Sequence, residues 1–425
     1  MKVLLSAYSC SPTAGSEPAI GWNWARCIGA EGHEVTVATR AINRKDIEGY
    51  CTKRGIQNPQ FLFHDLPALV QKLYKLPFGN YLYYSLWQYT LAKKAAELHK
   101  REKFDQVQHI TWGSFRLPSF MGKLGIPFIF GPVAGGEDAP KGLRKGLGLR
   151  GRVWDALRRF SNSLFIAVPF MRRTYSEATE IVATTPETLE AIPAAYREKG
   201  RVQLAIGIDS ESLMAAAATA KRATAPDRAA LEMLFVGRIL PWKGLHLAFR
   251  AIASLGDKAR EVRFTIIGSG SDEPRLKKLA RHLEVEDRIR WKSSIPRQEL
   301  IGMYPDFDLF LFPSLHDSGG LAVLEAMSFG LPVVCLDLGG PGVSVNNTAG
   351  CVITTKGRSE DEVAEAIAGS LERILCDAAM LASLSDGARR RARALTWEAA
   401  VQTLYVTDLA AGGAGQENQC YEQVI

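Results

Sequence analysis

No apolar run in this 425-residue chain could cross a bilayer. The longest bare stretch, Leu164–Phe170, has seven residues and holds Pro169, whereas a spanning helix needs about 20. The N-terminus, MKVLLSAYSC, has one lysine and no apolar core of signal-peptide length, so it reads as a short strand. There are seven cysteines, an odd number, with no C-x-x-C among them. That pattern argues against a disulfide framework and a cysteine-based zinc site, and the expected location is cytoplasmic. No His/Cys/carboxylate cluster has metal-ligand spacing, so neither a catalytic metal nor another cofactor is expected. Asp306-Phe307-Asp308 is read as a solvated turn, because it lies at the N-terminal edge of a strand, away from the ligand side of a doubly wound sheet.

What is present is a globular composition, 47% hydrophobic and 23% charged. The length exceeds one ordinary core, so two domains are expected. The net charge of +7 is uneven. Lys141, Arg144, Lys145, Arg150, Arg152, Arg158, Arg159, Arg172 and Arg173 fall in one segment with a single acid, Asp155. Trp154, Leu157, Phe160, Leu164 and Phe165 interleave with them. Two readings stay open: a helix lying on an anionic membrane, or a solvated basic helix packed by its apolar stripe onto its own domain. Nucleic acid is not an expected partner, because no recognition motif accompanies the charge.

Strand and helix signals alternate along the chain, which predicts a parallel sheet wrapped by helices. Lys2–Ser6, Glu34–Thr39, Phe61–Phe63, Gln106–Ile110, Pro127–Phe130 and Ile181–Thr184 read as strands, with helices over Pro18–Ala30 and Tyr81–Lys100. The rhythm stalls after Ile206, and the alanine-rich Leu213–Ala230 reads as a connector. It restarts with strands at Met233–Val236, Phe264–Ile267, Ile289–Trp291 and Leu309–Phe312. The expected architecture is α/β: two Rossmann-like doubly wound domains, 1–206 and 207–395, facing each other across a cleft. A helix over 396–411 is expected to pack back on the first domain, and 412–425 to be a disordered tail.

The stretch Leu311–Cys335 reads as buried strand, glycine-rich loop, helix and second buried strand. It puts Asp317 at a helix mouth and Glu325 two turns inside, eight positions on. A helix N-terminus after a glycine-rich turn forms an anion site. Two acids beside it suit hydroxyls on either side of a phosphate, as in a sugar nucleotide. Gly237-Arg238 ends the strand at Val236, and Lys243 follows five residues after Arg238, so both cations can reach one diphosphate. In the first loop, Gly15 and Ser16 could offer N–H groups to an oxyanion, while Glu17 caps the helix or binds a hydroxyl. A simple capped helix explains that loop equally well, since it lacks a dinucleotide fingerprint and a Walker lysine. His109, at the end of a buried strand, is placed lining the cleft. The other histidines, His316 included, read as structural.

These residues resemble the retaining glycosyltransferases of family 4, which have the two-domain GT-B fold. The resemblance is carried by GRILPWKG at Gly237–Gly244, FTIIGSG at Phe264–Gly270 and PSLHDSGGLAVLEAMSFGLPVV at Pro313–Val334. GSEPAIGWNWAR at Gly15–Arg26 and HITWGSFRLPSF at His109–Phe120 look like the branch found in bacterial surface-polysaccharide synthesis. The resemblance implies that Arg238 and Lys243 hold the donor diphosphate and that Glu325 binds the ribose. It implies that Asp317 contacts the transferred sugar, where the family usually has Glu, and that His109 contacts the same sugar. Gly319, Gly320 and Leu321 would offer N–H groups to the phosphate, with Gly237, Ser318, Gly15, Ser16 and Glu17 also substrate-binding. The implied activity is metal-independent transfer of a hexosyl or N-acetylhexosaminyl group, from a UDP-sugar first or a GDP-sugar second. The acceptor would be a hydroxyl of a glycan or lipid-linked glycan. A peripheral contact with anionic membrane through 141–173 completes the expected partners. The alternatives are a sugar-nucleotide epimerase or hydrolase of the same fold and a non-catalytic nucleotide-sugar-binding relative.

Overall fold

The computed structural model describes residues 1–166, 168–209, 213 and 230–405. The expectations for 214–229 and 406–425 therefore lie outside the described residues. Two compact units divide the chain. The first comprises Met1–Gly136, Arg159–Ile206 and the chain from Trp397, and the second comprises Glu137–Arg158 and Gly207–Thr396. Sequence reading gave all of 1–206 to the first unit. Glu137–Arg158 departs from that because it packs on elements of the second: Gly146 N–H donates to Glu360, and a Cβ at Gly151 would press on Pro241.

The first unit is built on a parallel seven-stranded sheet. Its strands are β1 (Lys2–Ala7), β2 (Glu34–Thr39), β3 (Gln60–Phe63), β4 (Gln106–Thr111), β5 (Phe128–Val133), β6 (Glu180–Ala183) and β7 (Gly200–Val202), in the order β3-β2-β1-β4-β5-β6-β7. β1, β4 and β5 are almost wholly buried, as expected where helices cover both faces of a sheet. On one face, the helix Gly79–Glu102 buries Tyr84, Trp87, Leu91 and Ala95, the side read from its periodicity. On the other, Trp24 and Ile28 of the helix Glu17–Ala30 share a core with Trp397, Val401, Leu404 and Tyr405 of the helix Trp397–Tyr405. That last helix is also tied by polar contacts: Tyr405 Oη donates to Gln108 Oε1 at 2.6 Å, and Gln203 Nε2 to the Ala400 carbonyl at 2.6 Å.

The second unit carries a parallel six-stranded sheet: β8 (Leu231–Val236), β9 (Val262–Ile267), β10 (Ile289–Lys292), β11 (Leu309–Phe312), β12 (Val333–Leu336) and β13 (Gly350–Ile353). Its order is β10-β9-β8-β11-β12-β13. In both units the chain winds outward from a central strand, returns across it, and winds the other way. The strand order thus reverses between β1 and β4, and again between β8 and β11. Ligands of doubly wound sheets bind outside the strand C-termini at such a reversal. Among the described residues no helix is long and apolar enough to cross a membrane.

Candidate functional site

In the second unit, β8 and β11 lie side by side, with Leu309 opposite Met233 and Phe310 opposite Leu234. Their C-terminal ends therefore release two loops, 237–244 and 313–320, next to each other. Backbone contacts lace these loops together. Leu315 N–H donates to the Trp242 carbonyl at 2.8 Å, and the Trp242 ring stacks on His316 with centroids 5.3 Å apart. Gly244 stands at φ +69°, and a Cβ there would collide with the Pro313 carbonyl oxygen, so the approach requires glycine. Gly268 and Gly270 do the same for the neighbouring strand end, lying against the carbonyls of Gly237 and Ile239.

Lys243 and Asp317, 74 positions apart, meet in an ion pair whose side chains are 14% and 19% exposed. Asp317 is held further by its backbone, since Gly340 N–H donates to its carbonyl at 2.7 Å, and its Oδ1 accepts from Gly319 N–H at 3.3 Å. Gly339 and Gly340 leave room for this loop, because a Cβ on either would meet the carbonyl of Asp317 or Gly319. Gly320 takes φ +79° and starts the helix Leu321–Ser328 with no side-chain cap. The first amides of that helix are thus presented at the strand ends, with the partial positive charge of a helix N-terminus. Arg238 is exposed on the same loop as Lys243.

Two sequence expectations change here. Because the helix begins at Leu321, Asp317 sits in the loop before it and Glu325 lies about one turn inside. The eight-residue interval is therefore half loop, not eight residues of helix axis. Glu325 itself is buried, accepting from Arg297 Nη2 at 2.8 Å and from Tyr304 Oη at 3.3 Å. Burial raises its pKa above the ordinary carboxylate value, and the Arg297 charge opposes that shift. Arg297 and Tyr304 were not singled out by sequence. Asp308 is engaged structurally: its Oδ2 accepts Glu232 N–H at 2.9 Å, joining the N-terminal ends of β8 and β11. Among the described residues no three His, Cys, Asp or Glu side chains gather as metal ligands would.

In the first unit, the loop after β1 is pinned to β4 by Ser9 N–H donating to Thr111 Oγ1 at 2.9 Å. The hydroxyls of Ser11 and Thr13 donate to the Asp46 carboxylate. Gly15 and Ser16 are exposed at its tip, with Ser16 at a strained φ of +59°. Glu17 does not cap the helix as the sequence suggests. Its Oε1 accepts Trp112 N–H from the loop after β4 at 2.5 Å, across the strand-order reversal, and burial raises its pKa.

His109 is the clearest correction. The sequence places it lining a cleft, but its side chain is wholly buried, 3.3 Å from Tyr84 Oη and Gln88 Nε2 and stacked on Phe130. The cause is its position one residue inside the pleat of a doubly covered strand. Beside it, a cluster that sequence reading missed gathers at the ends of β1, β2 and β3. Arg40 donates to Asp65 at 3.0 Å and to Tyr74 Oη at 2.9 Å, and lies over the rings of Tyr8 and Tyr83. Its members are scattered single residues, and no local spacing announces them.

Comparison with known proteins meets this geometry in both units. The profile described as Glycosyl transferases group 1 matches residues 218–391, and that described as Glycosyl transferase 4-like domain matches residues 15–205. The chain belongs to this glycosyltransferase family. Among its relatives is a D-inositol 3-phosphate glycosyltransferase of Streptomyces bingchenggensis, 33% identical over 44% of this chain and 41% of that protein. The Salinispora tropica protein of the same name is 33% identical over 54% of this chain and 50% of its own length. The matches thus span about half the length of these curated relatives. Solved structures with a like fold include the lipopolysaccharide outer core galactosyltransferase WaaB, with TM-score 0.60 and 15% identity, covering 97% of this chain and 100% of that one. Anabaena Alr3699/HepE in complex with UDP gives TM-score 0.58 and 15% identity over 96% and 100%. At this identity they show the fold, the two-sheet architecture of GT-B glycosyltransferases.

Proposed function

We propose that this family member transfers a sugar from a nucleoside-diphosphate donor to a hydroxyl of a glycan or lipid-linked glycan, with retention at the anomeric carbon. The observation that carries the reading is the joining of Lys243 to the mouth of the helix Leu321–Ser328, where β8 and β11 end. A diphosphate seated there would meet Lys243, Arg238 and the amides of Gly319, Gly320 and Leu321, with Gly237 and Ser318 in the walls. Glu325, held by Arg297 and Tyr304, is a hydroxyl acceptor one turn further on, which suits a ribose. Asp317 faces the ammonium that would hold the phosphate and is the acid closest to the reacting sugar. A UDP-sugar is favoured over a GDP-sugar, and surface polysaccharide made at the cytoplasmic side is the favoured context.

In this reading no protein nucleophile is required. The acceptor hydroxyl approaches the face from which the diphosphate departs, through an oxocarbenium-like state, and the residues act on the charge growing on the leaving group. On the first unit the Gly15-Ser16 tip and the Arg40–Asp65–Tyr74 cluster offer amides, hydroxyls and aromatic faces for the acceptor side. Losing one preorganised charge partner raises such a barrier by about 3 kcal/mol, roughly a hundredfold in rate. Lys243→Ala and Arg238→Ala should each lose at least that much turnover while melting like the parent. The assay is acceptor-dependent release of nucleotide from labelled sugar nucleotides with membrane extract. Near-normal transfer by both variants would end the assignment, whereas acceptor-free isomerisation or hydrolysis would point to an epimerase or hydrolase.

A further inference from the structure

We propose that the carboxyl ends of β3, β2, β1 and β4 form a subsite for a neutral pyranose ring of the acceptor, stacked on Tyr74 and hydrogen-bonded by Arg40. These four strands are neighbours in the first sheet, and each delivers one side chain just beyond its end. Asp65 follows β3, Arg40 follows β2, Tyr8 follows β1 and Trp112 follows β4. Carboxyl ends beside a strand-order reversal are where doubly wound sheets take their ligands.

Arg40 is the centre of the group. Its Nε donates to Asp65 at 3.0 Å and its Nη1 to Tyr74 Oη at 2.9 Å. The guanidinium carbon lies 5.3, 5.3 and 5.1 Å from the ring centroids of Tyr8, Tyr74 and Tyr83. Asp65 also accepts Ala41 N–H at 3.1 Å and Tyr83 Oη at 3.2 Å, and the hydroxyls of Tyr8 and Tyr74 bond to each other. With Nε and Nη1 committed, Nη2 is the edge left for a ligand. A guanidinium fixed in advance lowers the cost of ordering that accompanies binding.

A brace that served only the fold would bury its rings. Here Tyr74 is 40% exposed, Tyr81 on the helix Gly79–Glu102 is 38% exposed, and Trp112 is half-buried. Trp112 joins the cluster to Tyr81, with ring centroids 4.9 Å from Tyr8 and 6.0 Å from Tyr81. Its backbone stands at φ +52°, strained for so bulky a residue, and the bond from its N–H to Glu17 holds it there. Strain of this kind gathers at ligand clamps.

The ligand's chemistry follows. The pair Arg40–Asp65 carries no net charge, so the cluster has no surplus with which to draw an anion. An exposed ring face takes the C–H face of a pyranose, and a guanidinium edge, which only donates, takes the hydroxyl oxygens at its rim. Assigning that sugar to the acceptor rests on the transferase reading above, whereas the affinity for a sugar does not.

The probes are the methyl glycosides of glucose, galactose, mannose and N-acetylglucosamine, offered to the full chain in saturation-transfer difference NMR. At least one should receive saturation through its ring C–H protons. Tyr74→Ala, which removes an exposed ring, should lower that transfer at least fivefold with little change in melting temperature. Arg40→Lys, which keeps the charge and loses the planar fork, should lower it too. In the membrane-extract assay both variants should raise the acceptor KM at least tenfold, while UDP affinity in calorimetric titration stays parental. A parent that receives no saturation overturns the proposal, as does displacement of the glycoside by inorganic phosphate, which would make this an anion site. A Tyr74→Ala variant that binds glycosides and uses acceptor like the parent overturns it as well, leaving the cluster a structural brace. Glycoside binding that Tyr74→Ala abolishes, in a parent that transfers no sugar, would uphold the pyranose site and sink the transferase reading instead.

Discussion

His109 and His246 lie wholly inside the first and second units, respectively, and burial pulls both imidazoles down to about pKa 3. In the unfolded chain each titrates near 6.5, so unfolding takes up protons below that pH. The stability they confer is complete above about pH 6.5 and is lost progressively as pH falls towards 3. At pH 5 each histidine costs its unit about 2 kcal/mol, or roughly 5 °C of melting temperature relative to pH 7. Glu17 and Glu325, whose pKa values burial raises, pull the other way in the carboxylate range. Scanning calorimetry at pH 5, 6 and 7 should show this acid-side slope, and it should flatten in His109→Gln/His246→Gln. A flat parent profile would mean that the imidazoles charge without unfolding. Residue roles were legible only where a motif carried them. Lys243, Asp317 and Glu325 could be picked out as candidates by their setting. Arg297, Tyr304 and the Arg40 cluster could not, because their partners arrive from distant elements through packing.

Elements were more legible than residues, because periodicity reports which side chains a strand or helix will bury. β2 and β11 have the bounds read from sequence, and most other strands differ by one to three residues. Direction of burial was harder. The helix Gly148–Ile166 has a visible apolar period, yet nothing in that period says whether the stripe faces in or out; the inward Asp155–Arg158 pairing decides it. The loops 237–244 and 313–320 depend on glycines whose need appears only once the two strand ends are adjacent. Gly244→Ala must place a Cβ against the Pro313 carbonyl at φ +69°. It should destabilise the second unit by about 1–3 kcal/mol and weaken nucleotide binding at least tenfold. Gly256→Ala, at φ +58° with open space around it, is the control and should lose about 1 kcal/mol without touching binding. Denaturant melts and calorimetric titration with UDP separate the two effects. Equal behaviour of both variants would show that the loop contact is unimportant.

At the scale of the molecule, the two alternating series in the sequence do become two doubly wound sheets, but neither unit is a continuous piece of chain. The first is completed by the helix Trp397–Tyr405, which buries Trp397, Val401, Leu404 and Tyr405 against β1 and the helix Glu17–Ala30. Those four side chains are worth roughly 6–12 kcal/mol of burial, comparable with the whole stability of a domain. A chain ending at Thr396 should therefore lose the calorimetric transition of the first unit and keep that of the second. Two intact transitions would overturn this account. The interleaving also has a temporal consequence. Glu137–Arg158 belongs with Gly207–Thr396, which follows it by tens of residues, and the first unit waits for Trp397. At about 5–20 residues per second, making the 190 residues from Gly207 to Thr396 takes on the order of 10–40 s. During that interval both units are unfinished on the ribosome. The cell must shelter the growing chain until the helix Trp397–Tyr405 has emerged.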